Sequence, residues 1–354
     1  MRANRLLHLL DRYLGIPLIF LLGLFRKRCN FPSLPPNAKI GLLNTAAIGD
    51  TILLSGAIAD LHAHFPHAEL LFFSGPSNYE AALLIPHVQV IKLPVISPRK
   101  TIQLIRKHTF DLWVDFGPWP RLNALYSHFA KAKFKIGFQT PGQYRHYIYD
   151  RSALHQAIHE LENYRHLIAL IGVKGNSPPV LALEKSGPID PNQFVLHLYA
   201  GGSQAALKQW PENHWIKLID HLTKKGYRIC LTGNQRDEEK CKKVKQHCQN
   251  PEQIEVKAGQ LSLRKTALLL KASNAVISVD TGIMHLAAAL GCFTIALHGP
   301  TSPHRWGAIG PRAIAITPKK PYSACIHLGF EKISSENCSM KSIQVEQIIE
   351  KLNL

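Results

Sequence analysis

Three segments of this 354-residue chain place a carboxylate, a hydroxyl or an ammonium beside glycine where an apolar run gives way to a helix-forming stretch. In Ser278 to His285 (SVDTGIMH), Asp280 or Thr281 can cap the helix that follows, and Gly282 lets a ligand approach the backbone. The free N–H groups of that helix start favour phosphate through hydrogen bonds and the helix dipole, and His285, one turn in, reaches the same ligand. An ordinary capped helix with a partly buried His285 would use the same residues, and the local sequence does not separate the two. In Tyr199 to Lys208 (YAGGSQAALK), Gly201 and Gly202 allow close backbone approach, while Ser203 and Lys208 add a hydroxyl donor and a mobile cation, a set that suits a diphosphate. The order is not GxxxxGK[ST], so a Walker P-loop and ATP hydrolysis are not indicated. In Asn44 to Asp50 (NTAAIGD), the Asp50 carboxylate can accept a proton from an incoming hydroxyl, or it can simply cap a helix.

These segments need a frame that presents them together. From Lys39 onward short apolar runs alternate with amphipathic stretches, the pattern of β-α units around a parallel sheet. Strands are expected at 39–43, 69–73 and 110–115, with a helix starting near Thr51 and stopped by Pro66. A segment rich in proline and glycine, 175–191, reads as a boundary. Beyond it strands are expected at 194–198, 227–231, 275–279 and 293–297. Helices are expected from Pro211 to Leu222 and over 262–272, 281–290 and about 342–352. The fold class is therefore α/β, with two doubly wound Rossmann-like domains facing a central cleft that strand-to-helix loops would line. The expected division is an N-terminal basic and apolar segment over 1–38, a domain over 39–180 and a second over 181–354.

The stretches AAIGDTILLSGAI, LKQWPENHW and SVDTGIMHLAAALGCFTIALHGPTSPHRWG resemble glycosyltransferase family 9, the heptosyltransferases of lipopolysaccharide synthesis. The resemblance runs over about residues 39–354, with the motifs in order in both domains. It implies a GT-B fold, an ADP-heptose donor held by the C-terminal domain, a lipopolysaccharide-core or similar glycolipid acceptor held by the N-terminal domain, and neither metal nor cofactor. By motif, Asp50 resembles the family's catalytic base, and Ser203 and Lys208 the groups that hold the donor phosphates. Asp237, in GNQRDEE, resembles the acidic residue at the donor ribose, although a solvated helix start in a charged run is its plain alternative. Leu261 matches an apolar position beside the adenine. Asp280, Thr281, Gly282 and His285 match the turn that holds the donor sugar and diphosphate. The chain departs from the pattern at Ala46 and Ala47, where many relatives carry a hydroxyl, and at Gly201-Gly202, which lacks the commoner threonine. The implied reaction is an inverting direct displacement. The alternatives are another GT-B sugar-nucleotide enzyme, such as an epimerase, or an inactive sugar-nucleotide or lipid-binding protein.

Composition narrows the partners. Lysine and arginine number 42 against 24 acidic residues, a net charge of +18 that points to a polyanionic partner. With no helix-turn-helix, zinc finger or aromatic ribonucleoprotein box, nucleic acid is not expected. The apolar run from Tyr13 to Phe25, flanked by Arg2, Arg5 and Arg12 and by Arg26, Lys27 and Arg28, is shorter than the roughly 20 residues a bilayer span needs. A peripheral anchor on an anionic membrane surface, at the cytoplasmic face of the inner membrane, fits it. A helix packed on the protein itself, or an uncleaved signal, is the alternative. Seven cysteines without a CxxC pair or zinc-finger rhythm read as reduced cytosolic thiols, and no His/Cys set completes a metal site around Cys325 and Cys338.

Overall fold

The computed structural model describes residues 9, 11–24, 29–45, 47–184, 187–202, 204–319, 322–326 and 339–353. The chain divides into two compact units, Met1–Val180 and Leu181–Leu354.

The first unit runs α1 (Gly15–Leu24), β1 (Lys39–Asn44), α2 (Ile48–His64), β2 (Glu69–Ser74), α3 (Tyr79–Ala82), β3 (Gln89–Lys92) and α4 (Pro98–Ile105). It continues with β4 (Thr109–Asp115), α5 (Arg121–Phe129), β5 (Lys131–Gln139), β6 (Arg151–Leu154) and α6 (Glu160–Ala169). Its six strands are all parallel, in the order β3-β2-β1-β4-β5-β6. The strands are apolar runs because parallel strands are covered on both faces. Leu43, Leu71, Phe73, Phe110, Trp113 and Tyr126 form one buried cluster. Gly41 makes room for it: a Cβ there would lie 2.4 Å from the ring of Trp113, its partner on β4.

The second unit runs β7 (Asp190–His197), α7 (Glu212–Lys224), β8 (Arg228–Thr232), α8 (Glu238–His247), β9 (Ile254–Val256), α9 (Leu263–Lys271) and β10 (Ser273–Val279). It ends with α10 (Gly282–Ala289), β11 (Thr294–Leu297), α11 (Pro303–Trp306), β12 (Ala313–Ile316) and α12 (Val345–Leu352). Its parallel sheet, β12-β11-β10-β7-β8-β9, has the same topology as the first. In each, the opening strand lies mid-sheet, two strands are laid down on one side, and the fourth returns to its other side. That reversal leaves a crevice at the carboxyl ends of β1 and β4 in the first unit and of β7 and β10 in the second.

The α/β, doubly wound class is thus the one observed. The helix expected near Thr51 begins three residues earlier, at Ile48, which draws Asp50 into its first turn. The terminal α-helix begins at Val345, because Met340–Ser342 form a separate 3-10 turn. Strands β3, β5, β6, β9 and β12 were not expected. They are short, lie away from the sheet centre, or, like KAKFKIGFQ of β5, carry lysines that interrupt the apolar run. The expectation of seven reduced thiols needs correction, since Cys325 is disulfide-bonded, in chain that two backbone hydrogen bonds tie to the Pro300 carbonyl. Cys338 lies outside the described residues. Cys29 is a free, exposed thiol, and Cys230, Cys241, Cys248 and Cys292 are free and buried. Burial pushes the thiols of Cys230, Cys241 and Cys248 up to about 12 and that of Cys292 to about 11, so they pack as apolar side chains.

Candidate active site

In the second unit the crevice at β7 and β10 is charged. The chain leaves β7 through Leu198 to Gly202 and tightens into a 3-10 turn, Ala205–Lys208, that carries the lysine back over the sheet end. Lys208 Nζ lies 2.9 Å from Oδ2 of Asp280, the first residue after β10. The next residue, Thr281, is the helix cap: its Oγ1 accepts the Ile283 N–H at 3.2 Å, while Asp280 is left to face the lysine. Asp280 is 8 % exposed. Burial alone would push its carboxyl up, but the Lys208 ammonium, with His298 and His285 nearby, holds it well below the usual carboxylate range. Lys208, Asp280, Thr281, Gly282 and His285 therefore meet at one sheet end, as their motifs required, and His285 is buried in the first turn of α10.

Two residues absent from the expected set belong to this cluster. His298, one residue past β11, is fully buried; its Nδ1 lies 3.2 Å from Thr301 Oγ1 and its Nε2 has no hydrogen-bond partner. Burial lowers its pKa against the opposing pull of the Asp280 charge, and Lys208 is the cation paired with Asp280. Tyr322 donates to the Thr301 carbonyl at 2.8 Å, and burial with the nearby Asp280 charge pushes its phenol up to about 12. The signal for His298 was its position just after an apolar strand, inside a motif already singled out; Tyr322, in irregular chain, gave none.

Asp237 is 5 % exposed rather than solvated, which corrects that alternative: its carboxylate accepts the Asn234 backbone N–H at 3.1 Å and holds the turn after β8. Leu261 is half-buried, two residues before α9. Ser203 lies outside the described residues.

In the first unit the crevice at β1 and β4 is built mostly from neutral hydrogen bonds. Asp50 is 6 % exposed, and its Oδ2 accepts the Ala47 N–H at 3.3 Å, half of a capping box in which Ala47 has no side chain to reciprocate. Asn78 braces the loop from below, its Nδ2 donating to the Asn44 carbonyl at 2.9 Å and to Thr51 Oγ1 at 2.8 Å. From the β4 side, Asn123 accepts from Thr45 Oγ1 at 2.9 Å, while its own Nδ2 is buried without a partner. Beneath lies a fully buried network. Asp115 Oδ2 takes Arg145 Nη2 at 2.7 Å, the Tyr149 hydroxyl at 2.7 Å and Ser127 Oγ at 3.1 Å, and Oδ1 takes the Gly117 N–H at 3.0 Å. Gly137 makes it possible, since a Cβ there would lie 2.3 Å from the Tyr149 ring. Both oxygens of Asp115 are taken up by these donors, so this carboxylate positions the loop after β4 and has no spare bond to give a substrate.

A model of glycosyltransferase family 9 (heptosyltransferase) matches residues 99–331. The lipooligosaccharide heptosyltransferase 2 of Haemophilus influenzae is 31% identical over 163 residues, covering 45% of this chain and 46% of that protein. The lipopolysaccharide heptosyltransferase 1 of Escherichia coli is 33% identical over 153 residues, covering 42% and 46%. The aligned parts thus span a little under half the length of these curated relatives. Among solved structures, the E. coli ADP-heptose lipopolysaccharide heptosyltransferase II superposes with a TM-score of 0.72 at 21% identity, covering 89% of this chain and 97% of its own. E. coli heptosyltransferase WaaC with ADP gives 0.71 at 20%, covering 89% and 99%. A family 9 glycosyl transferase from Veillonella parvula gives 0.77 at 17%, covering 92% and 98%. The fold of both units is therefore that of the GT-B heptosyltransferases, and the family model spans the end of one unit and most of the other. With the acidic turn, its lysine and the helix start where the motifs put them, the chain belongs to glycosyltransferase family 9.

Proposed function

We propose that the chain is an inverting, metal-independent glycosyltransferase that moves a heptose or related sugar from an ADP-sugar to a lipopolysaccharide-core or similar glycolipid acceptor. The observation that carries this reading is the Lys208–Asp280 pair beside the N-terminus of α10. A lysine held on a buried carboxylate is a cation kept in place for an anionic guest, and unsatisfied N–H groups of a helix start complete a diphosphate seat. Support also comes from relatives named as heptosyltransferases, including a structure with ADP.

In this reading the second unit binds the donor and the first binds the acceptor. Asp50 takes the proton from the acceptor hydroxyl as the oxygen attacks the anomeric carbon, and the bond to the diphosphate breaks in the same displacement. Negative charge grows on the departing ADP, where Lys208 and the α10 N–H groups neutralise it; one such donor is worth about 3 kcal/mol of transition-state stabilisation. Ser203 adds a hydroxyl to the phosphates, Asp237 holds the ribose, Leu261 lies against the adenine, and His285 reaches the donor sugar. A water-soluble donor and a lipid-linked acceptor meet at a membrane surface, so we place the enzyme peripherally on the cytoplasmic face of the inner membrane.

The test is incubation with ADP-heptose and rough lipopolysaccharide, following ADP release, the mass of the product and its anomeric configuration, with and without a chelator. ADP should appear only when acceptor is present, the anomeric centre should invert, and chelator should change nothing. Asp50→Ala should reduce transfer on the order of a hundredfold to ten-thousandfold. Transfer by the variant at the wild-type rate would remove Asp50 from its role, and ADP release without acceptor would favour an epimerase-like or hydrolytic chemistry.

A further inference from the structure

Helix α1 is apolar on more than the side that packs. Its inner line is Gly15, Ile19 and Gly23. Ile19 is fully buried with Ala124, Ile148 and Tyr149, and the two glycines bring the backbone against Arg121 and Tyr147. Just upstream, Asp11 fixes the start of the helix twice over. Its Oδ2 pairs with Arg121 Nη1 at 2.8 Å, and its Oδ1 accepts the Leu122 N–H at 3.3 Å, capping α5. The opposite line remains uncovered: Leu14 is 58 % exposed, Leu21 53 % and Leu24 79 %, and Tyr13 and Leu18 are exposed as well. At one edge Phe20 meets Tyr144 and Tyr147 at ring-centre distances of 5.2 and 5.0 Å, and these three rings are also exposed. The patch is therefore contiguous across two stretches of sequence some 120 residues apart.

Charge identifies what covers it. Residues 1–38 carry six basic side chains (Arg2, Arg5, Arg12, Arg26, Lys27 and Arg28) and one acidic, Asp11, whose charge is already matched by Arg121. An apolar helix face with a tyrosine edge and a basic flank is the complement of an anionic lipid interface. A second copy docked through the same face would set two basic flanks together. At ten residues α1 is about 15 Å long against a hydrocarbon core of about 30 Å, so it lies in the interface, and among the described residues no helix is long and apolar enough to cross a membrane.

We infer that α1 and the Tyr144–Tyr147 turn form one rigid foot that docks the first unit on an anionic bilayer. The inference rests on the membrane placement proposed above and sharpens it, because a foot bolted to the fold differs from a flexible tether. Asp11 caps α5, and α5 carries Asn123, which bonds Thr45 in the Asp50 loop. Docking through α1 therefore holds that loop at a fixed distance from the lipid surface, where the sugar of a lipid-anchored acceptor stands.

The experiment is flotation of the full-length protein with vesicles of phosphatidylcholine carrying about one-third phosphatidylglycerol, and with phosphatidylcholine alone. Wild type should float with the anionic vesicles and far less with the neutral ones. Leu18→Ser/Leu21→Ser should lower the partition coefficient at least about tenfold, and Tyr144→Asn/Tyr147→Ser, outside the N-terminal segment, at least about threefold. Asparagine suits position 144, where φ is +59°. All four positions are exposed, so melting should stay within about 2 °C of wild type. Transfer to a de-acylated core oligosaccharide should be unchanged in both variants, which separates this inference from the catalytic reading. Wild-type flotation by the tyrosine variant would reduce the foot to a tether. Failure of wild type to float, or a solution dimer that the leucine variant dissolves, would overturn the lipid assignment.

Discussion

The two sheets share one topology and differ in what they do with a buried carboxylate at the central crevice. After β4, Asp115 is inaccessible, with Arg145, Tyr149, Ser127 and the Gly117 amide filling both its oxygens. After β10, Asp280 is nearly as buried, but the Lys208 that faces it is a fifth exposed and rides on a one-turn 3-10 segment. The first carboxylate is closed by rigid, complementary donors and serves the fold. The second is matched by one partly exposed cation at the mouth of a helix N-terminus, which in the proposed function shares its charge with an arriving anion. Burial and charge alone do not separate the two pairs; the exposure of the cation does.

The comparison breaks most sharply at Arg145. Arg145→Met leaves Asp115 buried without its cation, and removing one partner of such a pair costs about 3–5 kcal/mol. The melting temperature should fall by on the order of 10 °C. Turnover per folded molecule at low temperature should stay within a few-fold of wild type. If turnover collapsed while stability held, Asp115 would belong to the chemistry and the contrast between the crevices would be lost.

Lys208→Met should behave in the opposite way. Loss of one preorganised donor from a developing diphosphate costs about a hundredfold to a thousandfold in kcat. Lys208 is itself a fifth exposed, so water can enter where its side chain stood, and the stability loss should be smaller than for Arg145→Met. Steady-state kinetics beside thermal melts read both effects, and Asp280→Asn on the Lys208→Met background should return stability without returning turnover.

A third contrast is in pH. His197, at the end of β7, is buried against Thr232 Oγ1 at 3.1 Å, and burial lowers its pKa to about 4. The unfolded chain, with histidine near 6.5, binds more protons between pH 6.5 and about 4, so stability falls as the pH drops through that window. The loss is on the order of 3 kcal/mol, carried by His197, and His298, lowered for the same reason, adds in the same direction. His197→Asn should flatten the profile; an unchanged slope would mean that the imidazole takes up its proton elsewhere in the fold.

The sequence carried much of the second crevice and little of the first. The residues of the second crevice sit at strand ends within a few positions of glycine, so the turn from strand to helix is local, and local order places Asp280, Thr281 and Gly282. The ion pair to Lys208 spans 72 residues, but both partners follow strands that topology makes neighbours. In the first unit the decisive contacts are distant and chemically plain. Asn78, Asn123 and Tyr149 are common residues whose meaning comes from where the sheet brings them, and Arg145 lies in a 3-10 turn without periodicity. The N-terminal run was legible as apolar and basic, yet its spacing did not say that one line would pack on α5 while another stayed uncovered.

The smallest test asks whether the Asp280 turn does more than cap α10. Thr281 accepts the Ile283 N–H, so Thr281→Ala removes the cap of α10 and should cost about 1 kcal/mol of stability. Thr281→Ser keeps the hydroxyl and should restore it. If the turn were only a cap, both variants would bind ADP as wild type does once corrected for the folded fraction. If the free N–H groups of α10 hold the diphosphate, the alanine variant leaves one more N–H at the helix start for the anion to share while loosening the geometry that presents it. ADP affinity measured by calorimetry should then move by a few-fold with alanine and return with serine. An affinity blind to both, beside the expected shift in melting, would make Thr281 a structural residue and leave the diphosphate to Lys208 alone.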